Sequence, residues 1–169
     1  MRKLALIAVS AGSLIASMSA NAVNVTTTFA VTATVQKTCA VAANPLAFGT
    51  YTPGGGALTA NTTLSVKCTK TTPYTVALNA GTTTGGALTQ RLMAAASGTD
   101  TLQYNLYTAA TLATVFGDGT GTTATVAGTG AGVNTANTVT VYGQLPDSAA
   151  NQGVSPVNYS DTITVTVAY

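Results

Sequence analysis

The sequence contains no histidine, no glutamate and no tryptophan, and charged residues make up only 6% of its 169 positions. Without histidine a Ser-His-Asp triad cannot form, and the imidazole ligands of many metal sites are absent. The four acidic residues are aspartates scattered along the chain, so they do not suggest a carboxylate pair for acid–base chemistry. These absences argue against the common catalytic and metal-binding arrangements, and we expect neither an enzyme nor a cofactor.

The first residues form a pattern that is typical of a secretory signal peptide. A basic start precedes a mostly apolar run that reaches Met18, and Ala20-Asn21-Ala22 fits the A-x-A cleavage pattern. Cleavage between Ala22 and Val23 would make residues 1–22 the signal peptide. A membrane anchor is disfavoured, because the run is short and contains three serines and a glycine. We therefore expect the protein to be exported.

Removal of this leader would leave a chain without net charge. The formal charge of +2 belongs to the whole sequence, and the four basic side chains beyond the leader balance the four aspartates. No basic patch suggests binding to nucleic acid or to an anionic membrane. A neutral surface rich in threonine, alanine, valine and glycine has little charge to oppose self-association.

The only two cysteines are Cys39 and Cys68. In an exported protein an even pair is expected to form a disulfide. A bridge that closes a loop of about 30 residues stabilises a fold by roughly 3–4 kcal/mol in the chain-entropy model. A metal site would need further ligands, which this sequence does not offer.

Alternation of apolar and polar residues predicts a strand at each end of the exported chain. The first strand covers Val23–Val35, and the last covers residues 161–169. The inward face is predicted to consist of Val23, Val25, Thr27, Phe29, Val31 and Ala33 in the first strand, and of Ile163, Val165, Val167 and Tyr169 in the last.

Further short strands are predicted between these two, and turn residues separate them. Leu64, Val66 and Cys68 alternate on one face of a strand, and so do Leu102, Tyr104 and Leu106 on another. Seven or so short strands predict a β-sandwich. The remaining segments are strands near 39–43, 46–51, 74–78, 124–127 and 138–146, a doubtful helix over 88–96, and a loop over 151–160.

No segment offers a credible active site. Phe116–Gly121 reads FGDGTG, but it lacks the further acidic ligands of a calcium loop, so we interpret it as a turn. Three matches to the glycosylation pattern, at Asn24, Asn61 and Asn158, are expected by chance in a threonine-rich chain. The composition and the strands favour a mechanical or adhesive function.

The partner of the first strand stays open at this point. No glycine or proline follows it until Pro45, so no hairpin turn returns the chain. One interpretation is that it is an ordinary first strand of its own sandwich. The other is that it enters the open groove of a neighbouring molecule and adds a strand there, which would build an open-ended fibre.

The order of several short segments resembles the spore coat protein U family, the subunit family of archaic, Csu-like chaperone–usher pili. Nearly the whole exported chain takes part, and residues 117–138 match least. The matching segments are an N-terminal strand followed by Cys39, FGTY at 48–51, LSVKCTKTTPYTVALNAG at 64–81, RLM at 91–93, LQYNLYT at 102–108, VYGQLP at 141–146 and YSDTITVTVAY at 159–169.

This resemblance implies an all-β fold, an incomplete immunoglobulin-like β-sandwich that lacks its last strand and is completed by donor-strand exchange. The donor strand would be residues 23–33 and the pilin domain residues 34–169. The resemblance also implies a Cys39–Cys68 bridge, and an acceptor groove that the last strand lines and a chaperone contacts, with the Tyr169 carboxylate as an anchor.

The implied partners are identical subunits in a fibre, a periplasmic chaperone, an outer-membrane usher and a tip adhesin, with no nucleic acid and no small-molecule substrate. The expected location is a cell-surface pilus reached through the periplasm, and the expected role is that of a repeating subunit in adhesion and biofilm formation. A monomeric secreted coat or binding protein, with its first strand in its own sandwich, is the alternative. A Gram-positive pilin is not expected, because no sorting signal is found before Tyr169.

Overall fold

The computed structural model describes residues 22–169. The predicted signal peptide, residues 1–22, lies outside the described residues except for Ala22. The described chain falls into two parts, residues 22–34 and a compact unit that spans Val35–Tyr169.

The N-terminal part belongs to no strand, although its sequence predicts one over Val23–Val35. Its apolar side chains are open to solvent: Val25 is 92% exposed, Phe29 86% and Val31 84%. A strand needs a neighbouring strand to satisfy its backbone hydrogen-bonding groups, and no strand of the described chain pairs with these residues.

The compact unit contains nine strands and one short helix among the described residues. Its elements are β1 Cys39–Ala43, β2 Leu58–Cys68, β3 Pro73–Leu78, β4 Arg91–Ala95, β5 Thr101–Tyr107, β6 Val126–Thr129, β7 Asn137–Leu145, α1 Ala149–Gln152, β8 Tyr159–Ser160 and β9 Val165–Ala168.

The strands form two antiparallel sheets. The larger sheet has the order β1-β2-β7-β5-β4-β8, and the smaller has the order β6-β3-β9. Buried residues of both sheets form one core, in which Leu64 and Val66 of β2 and Val141 of β7 come from the larger sheet, and Val76 and Leu78 of β3 come from the smaller. The predicted β-sandwich is confirmed.

The alternation read from the sequence matches the buried faces of the central strands. The predicted inward residues of β2 and β5 are all buried, namely Leu64, Val66, Cys68, Leu102, Tyr104 and Leu106. In β3, for which the sequence predicts a strand without an assigned face, the buried residues are Tyr74, Val76 and Leu78. These strands have a neighbour on both sides. Their period of two therefore reflects a core face and an outer face, as expected for packed sheets.

Three segments differ from the expectations. The doubtful helix over 88–96 is strand β4, because the Ala87–Gln90 turn leads it into antiparallel pairing with β5. The expected loop over 151–160 contains the end of α1, whose N-cap Ser148 accepts a hydrogen bond from the backbone of Asn151, and the two-residue strand β8. The strand predicted near 124–127 lies slightly later, as β6.

The sequence also predicts a strand over residues 46–51, but the structure contains no strand there. Its side chains Leu46 and Phe48 pack against the core instead. They lie over Gly143 of β7, where an added Cβ would come within 2.9 Å of the Phe48 ring and 3.0 Å of Leu46. The bare glycine thus makes the room that these two side chains occupy.

Among residues 22–169, no helix is both long enough and apolar enough to cross a membrane.

Candidate functional site

The compact unit has an apolar cleft of about 460 Å³ that opens between the two sheets. Its floor is formed by core side chains of both sheets, and the segments after β1 and before β9 form its walls. The lining includes Ala43, Asn44, Pro45, Leu46, Phe48, Thr62, Leu64, Leu78, Met93, Tyr104, Leu106, Val141, Tyr159, Ser160, Asp161, Thr162, Ile163 and Val165. A cleft of this kind suits an apolar segment rather than a polar substrate.

One border of the sandwich is strand β1, for which β2 is the only paired strand among residues 22–169. Residues directly opposite each other in an antiparallel pair share a face. Val41 lies opposite Val66, so it points inward, yet Val41 is 39% exposed while Val66 is 1% exposed. An inward-facing side chain that remains open to solvent indicates that the sandwich lacks cover at this edge.

The other border is β9, which pairs only with β3. Val165 lies opposite Leu78 and Val167 opposite Val76, so both valines point inward, but they are only half-buried. In the described chain no strand pairs with the second edge of β9. Its free backbone groups form a template on which another strand can pair.

The residues predicted for the acceptor groove take different positions along this border. Ile163 and Val165 line the cleft, and Val167 packs against the core farther along β9. Tyr169 is 59% exposed and lies outside the cleft lining. The described structure therefore brings three of the four side chains to the inner face and leaves the last one in solvent.

The predicted disulfide is confirmed: Cys39 and Cys68 are bonded. The two cysteines lie directly opposite each other where β1 begins and β2 ends. The bond therefore ties the edge strand β1 to β2, its neighbour in the larger sheet.

A polar cluster holds the wall of the cleft at Asp161, a residue that sequence reasoning assigned to no site. Asp161 Oδ2 accepts a hydrogen bond of 2.7 Å from the Tyr104 hydroxyl. Its Oδ1 accepts from the backbone N–H of Thr82 at 2.8 Å and of Thr83 at 3.1 Å, and from both threonine hydroxyls. The carboxylate lies against Gly81, where no Cβ would fit.

These contacts determine the ionisation of the cluster. Burial alone would raise the pKa of Asp161, but the hydrogen bonds from Tyr104 and from backbone N–H groups together hold this pKa below its usual range. Burial, and then the bond to the Asp161 carboxylate, raise the pKa of Tyr104. Asp161 is therefore ionised and Tyr104 neutral at ordinary pH, and the cluster is structural rather than poised for proton transfer.

Arg91 is fully buried next to this cluster. Its guanidinium donates to the backbone carbonyl of Asn79 at 2.9 Å, to Asn105 Oδ1 at 2.7 Å and to the carbonyl of Phe116 at 2.7 Å. Burial lowers the pKa of Arg91. The side chain links the end of β3 to β5 and to the segment after it, and its sequence position on a predicted helix gave no signal of this role.

A second aspartate has similar contacts at another place. Asp147 accepts hydrogen bonds from the Tyr51 hydroxyl and from the backbone N–H groups of Gly54 and Gly56 at 3.0 and 2.9 Å. These bonds lower the pKa of Asp147 to about 2. None of these residues belongs to the cleft lining. Gly54 and Gly56 have positive φ, which lets the loop turn both amides toward the carboxylate.

The fold and the cleft define an all-β sandwich with an incompletely covered core between two free strand edges. The family described as Spore Coat Protein U domain matches residues 25–166, which is most of the chain. The chain therefore belongs to the Spore Coat Protein U domain family. A search among curated proteins finds no match.

A solved structure has a similar fold. It is a chain of the crystal structure of the CsuC–CsuE chaperone–tip adhesion subunit pre-assembly complex from archaic chaperone–usher Csu pili of Acinetobacter baumannii. The TM-score is 0.58 and the sequence identity 21%, over 80% of this chain and 41% of that chain. The present chain thus spans less than half the length of that chain. The likeness confirms the predicted fold class, a pilin-like incomplete β-sandwich.

Proposed function

We propose that this protein is a structural subunit of a surface pilus that polymerises by donor-strand exchange. Residues 23–33 of one subunit enter the cleft of the next and pair with the free edge of its β9. One observation carries the proposal: the same chain has an exposed alternating segment without a strand partner, and a sandwich with an uncovered inner face at its edge. The two features are complementary in chemistry, and a head-to-tail contact does not close.

The apolar side chains of the donor segment supply the driving force. Burying a valine or phenylalanine side chain that is now exposed stabilises a complex by about 1.5–3 kcal/mol. Val25, Phe29 and Val31 together would contribute roughly 5–9 kcal/mol before the cost of ordering the segment is subtracted. Backbone pairing along β9 adds to this and depends little on the side chains.

The uncovered cleft also explains a need for a chaperone. Exposed apolar surface and free strand edges lead to aggregation. In our proposal a periplasmic chaperone covers the cleft, with Ile163, Val165 and Val167 as its contacts and the Tyr169 carboxylate as an anchor, until an outer-membrane usher exchanges it for the next subunit. The pilus, capped by a tip adhesin, supports adhesion and biofilm formation. The family match and the chaperone–usher complex of similar fold support this pathway.

A charge scan of the donor segment tests the proposal. Phe29→Asp and Val31→Asp place a carboxylate on the face that would be buried, where an unpaired charge costs several kcal/mol. We expect these variants to form no fibres when the subunit is co-expressed with its chaperone and usher, as judged by electron microscopy. They should still yield a soluble complex with the chaperone, because the cleft itself is unchanged.

The matched controls are Thr28→Asp and Thr32→Asp, on the opposite face of the same segment, and they should reduce assembly much less. Equal loss of fibres from both faces would overturn the proposal. It would also fail if the inward substitutions prevented the subunit from folding, since the segment would then belong to its own sandwich. The alternative of a monomeric secreted coat or binding protein requires that second outcome.

A further inference from the structure

The walls of the cleft are apolar, so the hydrophobic effect favours its closure. Apolar side chains on both of its walls would gain by meeting each other, because closure removes apolar area from water at about 25 cal/mol per Å². A cleft of about 460 Å³ between apolar walls therefore keeps its width only if a rigid element opposes the approach of those walls.

The wall that contains Asp161 passes from one sheet to the other. Strand β8, which ends at Ser160, pairs with β4 of the larger sheet, and β9, which begins at Val165, pairs with β3 of the smaller sheet. Residues 161–164 make the crossing. Its geometry therefore determines how far apart the two sheets lie at this part of the cleft.

The Asp161 carboxylate contacts both sides of that crossing. Oδ2 bonds to Tyr104, which lies on β5 of the larger sheet. Oδ1 bonds to Thr82 and Thr83, in the loop that follows β3 of the smaller sheet. Both oxygens accept hydrogen bonds, and bonds that involve an ionised group are shorter and stronger than neutral ones.

The end of the crossing is fixed by the same loop. Thr164 donates its backbone N–H to Asn79 Oδ1 at 2.9 Å and accepts from the Asn79 backbone N–H at 3.2 Å. The carbonyl of Asn79 in turn accepts from buried Arg91. The first residues of β9 are thus positioned by polar contacts and not by apolar packing alone.

We propose that Asp161 is a positioning residue that holds the two sheets apart at the cleft, so that the donor segment of a second copy of this chain finds β9 already in place. The inference rests on the proposed function. Asp161 and Tyr104 act in this proposal only by positioning β9. They take part in no reaction, and they form no ion pair with the donor segment, which has no charged side chain.

Asp147 provides a matched control. It also accepts from a tyrosine hydroxyl and from two backbone N–H groups, but it joins the loop before β2 to the end of β7, which are neighbouring strands of one sheet. Loss of either aspartate should weaken the fold, but only loss of Asp161 should alter the spacing between the sheets.

The experiment uses the full exported chain, refolded at high dilution with its disulfide intact and with an excess of a fluorescein-labelled peptide of residues 23–35. Release of the peptide is followed by fluorescence anisotropy after unlabelled peptide is added, and the unfolding midpoint of each chain is measured in guanidinium. The variants are Asp161→Asn and Tyr104→Phe, with Asp147→Asn and Tyr51→Phe as controls.

We expect Asp161→Asn to accelerate release at least about tenfold, as the loss of hydrogen bonds to a charged group implies. Tyr104→Phe should act in the same direction but less strongly, because it removes one hydroxyl and keeps the ring that lines the cleft. Both controls should lower the unfolding midpoint and leave the release rate unchanged. If Asp161→Asn fails to fold, Tyr104→Phe against Tyr51→Phe decides the question.

Release from Asp161→Asn at the wild-type rate would overturn the inference, and so would equal acceleration by Asp147→Asn, which would indicate general destabilisation. If the wild-type chain does not bind the peptide at all, the proposed function is wrong, and the role of Asp161 is rejected with it. This result is distinguishable from the first two, in which the wild-type chain binds the peptide.

Discussion

Two segments near the ends of the described chain share one sequence pattern but differ in structure. Val23–Val35 and Ile163–Tyr169 both alternate apolar residues with threonine. The first segment lies in no strand and exposes its valines and its phenylalanine, whereas the second forms β9 and half-buries Ile163, Val165 and Val167. The difference lies in the partner, since β9 meets the inward residues Val76 and Leu78 of β3 in register.

The two segments show that an alternating sequence is not sufficient to form a strand. Alternation specifies which face is to be buried, but a strand is stable only where a neighbour completes its hydrogen bonds and a core covers that face. In the described chain, β9 has a neighbouring strand, β3, on one edge only. The N-terminal segment has the alternation expected of a strand that could pair with the other edge, and this is the basis of the proposed exchange between subunits.

The same charge substitution should therefore have opposite consequences at the two ends. Val165→Asp places a carboxylate at the cleft next to the core, where an unpaired charge costs several kcal/mol, so we expect the subunit not to fold. Val31→Asp should leave the thermal unfolding of the subunit unchanged, because Val31 is 84% exposed, while it blocks assembly. Circular dichroism of the two purified variants measures the contrast.

Thr166→Asp is the control for the C-terminal substitution, since Thr166 is exposed on the outer face of β9. It should fold normally. If Val165→Asp were as stable as Thr166→Asp, the inward orientation of Val165 and the position of the cleft would both be wrong.

Removal of the disulfide should have the next largest effect. The bond ties β1, one border of the cleft, to β2. Replacement of both Cys39 and Cys68 by serine should lower the free energy of unfolding by about 2–5 kcal/mol, the usual range for a native disulfide in a small secreted domain. Guanidinium unfolding measures this loss. A double variant as stable as the parent would indicate that β1 is held by packing alone.

Much of the sandwich could be predicted from the sequence because its central strands obey a simple rule. Each of β2, β3 and β5 turns apolar side chains to the core at every second position, and a period of two records this directly. The disulfide could be predicted from the signal-peptide pattern, which led us to expect export, and from the even number of cysteines. Strand β4 could not, because its alternation is weak and its pairing with β5 decides its conformation.

The polar clusters could not be predicted for a different reason. Asp161 meets Tyr104 and Thr82 across 57 and 79 positions of sequence, and Arg91 meets Phe116 across 25. No local pattern encodes such contacts, which depend on how the sheets are assembled. Asp161 and Asp147, which look isolated in the sequence, each join segments that are distant along the chain, whereas Asp118 bonds to Thr120 within its own turn.

Acid should affect the N-terminal segment and the compact unit differently, because the two parts differ in their ionisable side chains. The segment 23–34 has no acidic or basic side chain, whereas all four aspartates lie in the compact unit. Loss of stability in acid should therefore arise in the sandwich and not in the donor segment.

The pKa of Asp147 is lowered to about 2 by hydrogen bonds from Tyr51, Gly54 and Gly56, against an unfolded value near 4. A lowered pKa in the folded state means that the unfolded chain binds the proton more readily. Asp147 therefore stabilises the fold above about pH 4, and this contribution disappears as the pH falls from about 4 towards 2.

We expect the melting temperature, followed by circular dichroism, to be level from neutral pH to about pH 4 and to fall below about pH 4. In Asp147→Asn the melting temperature should be lower at neutral pH and should fall less steeply in acid. A variant with the same acid-induced fall as the parent would mean that Asp147 is not held by these donors, and that the other aspartates carry the whole acid sensitivity of the sandwich.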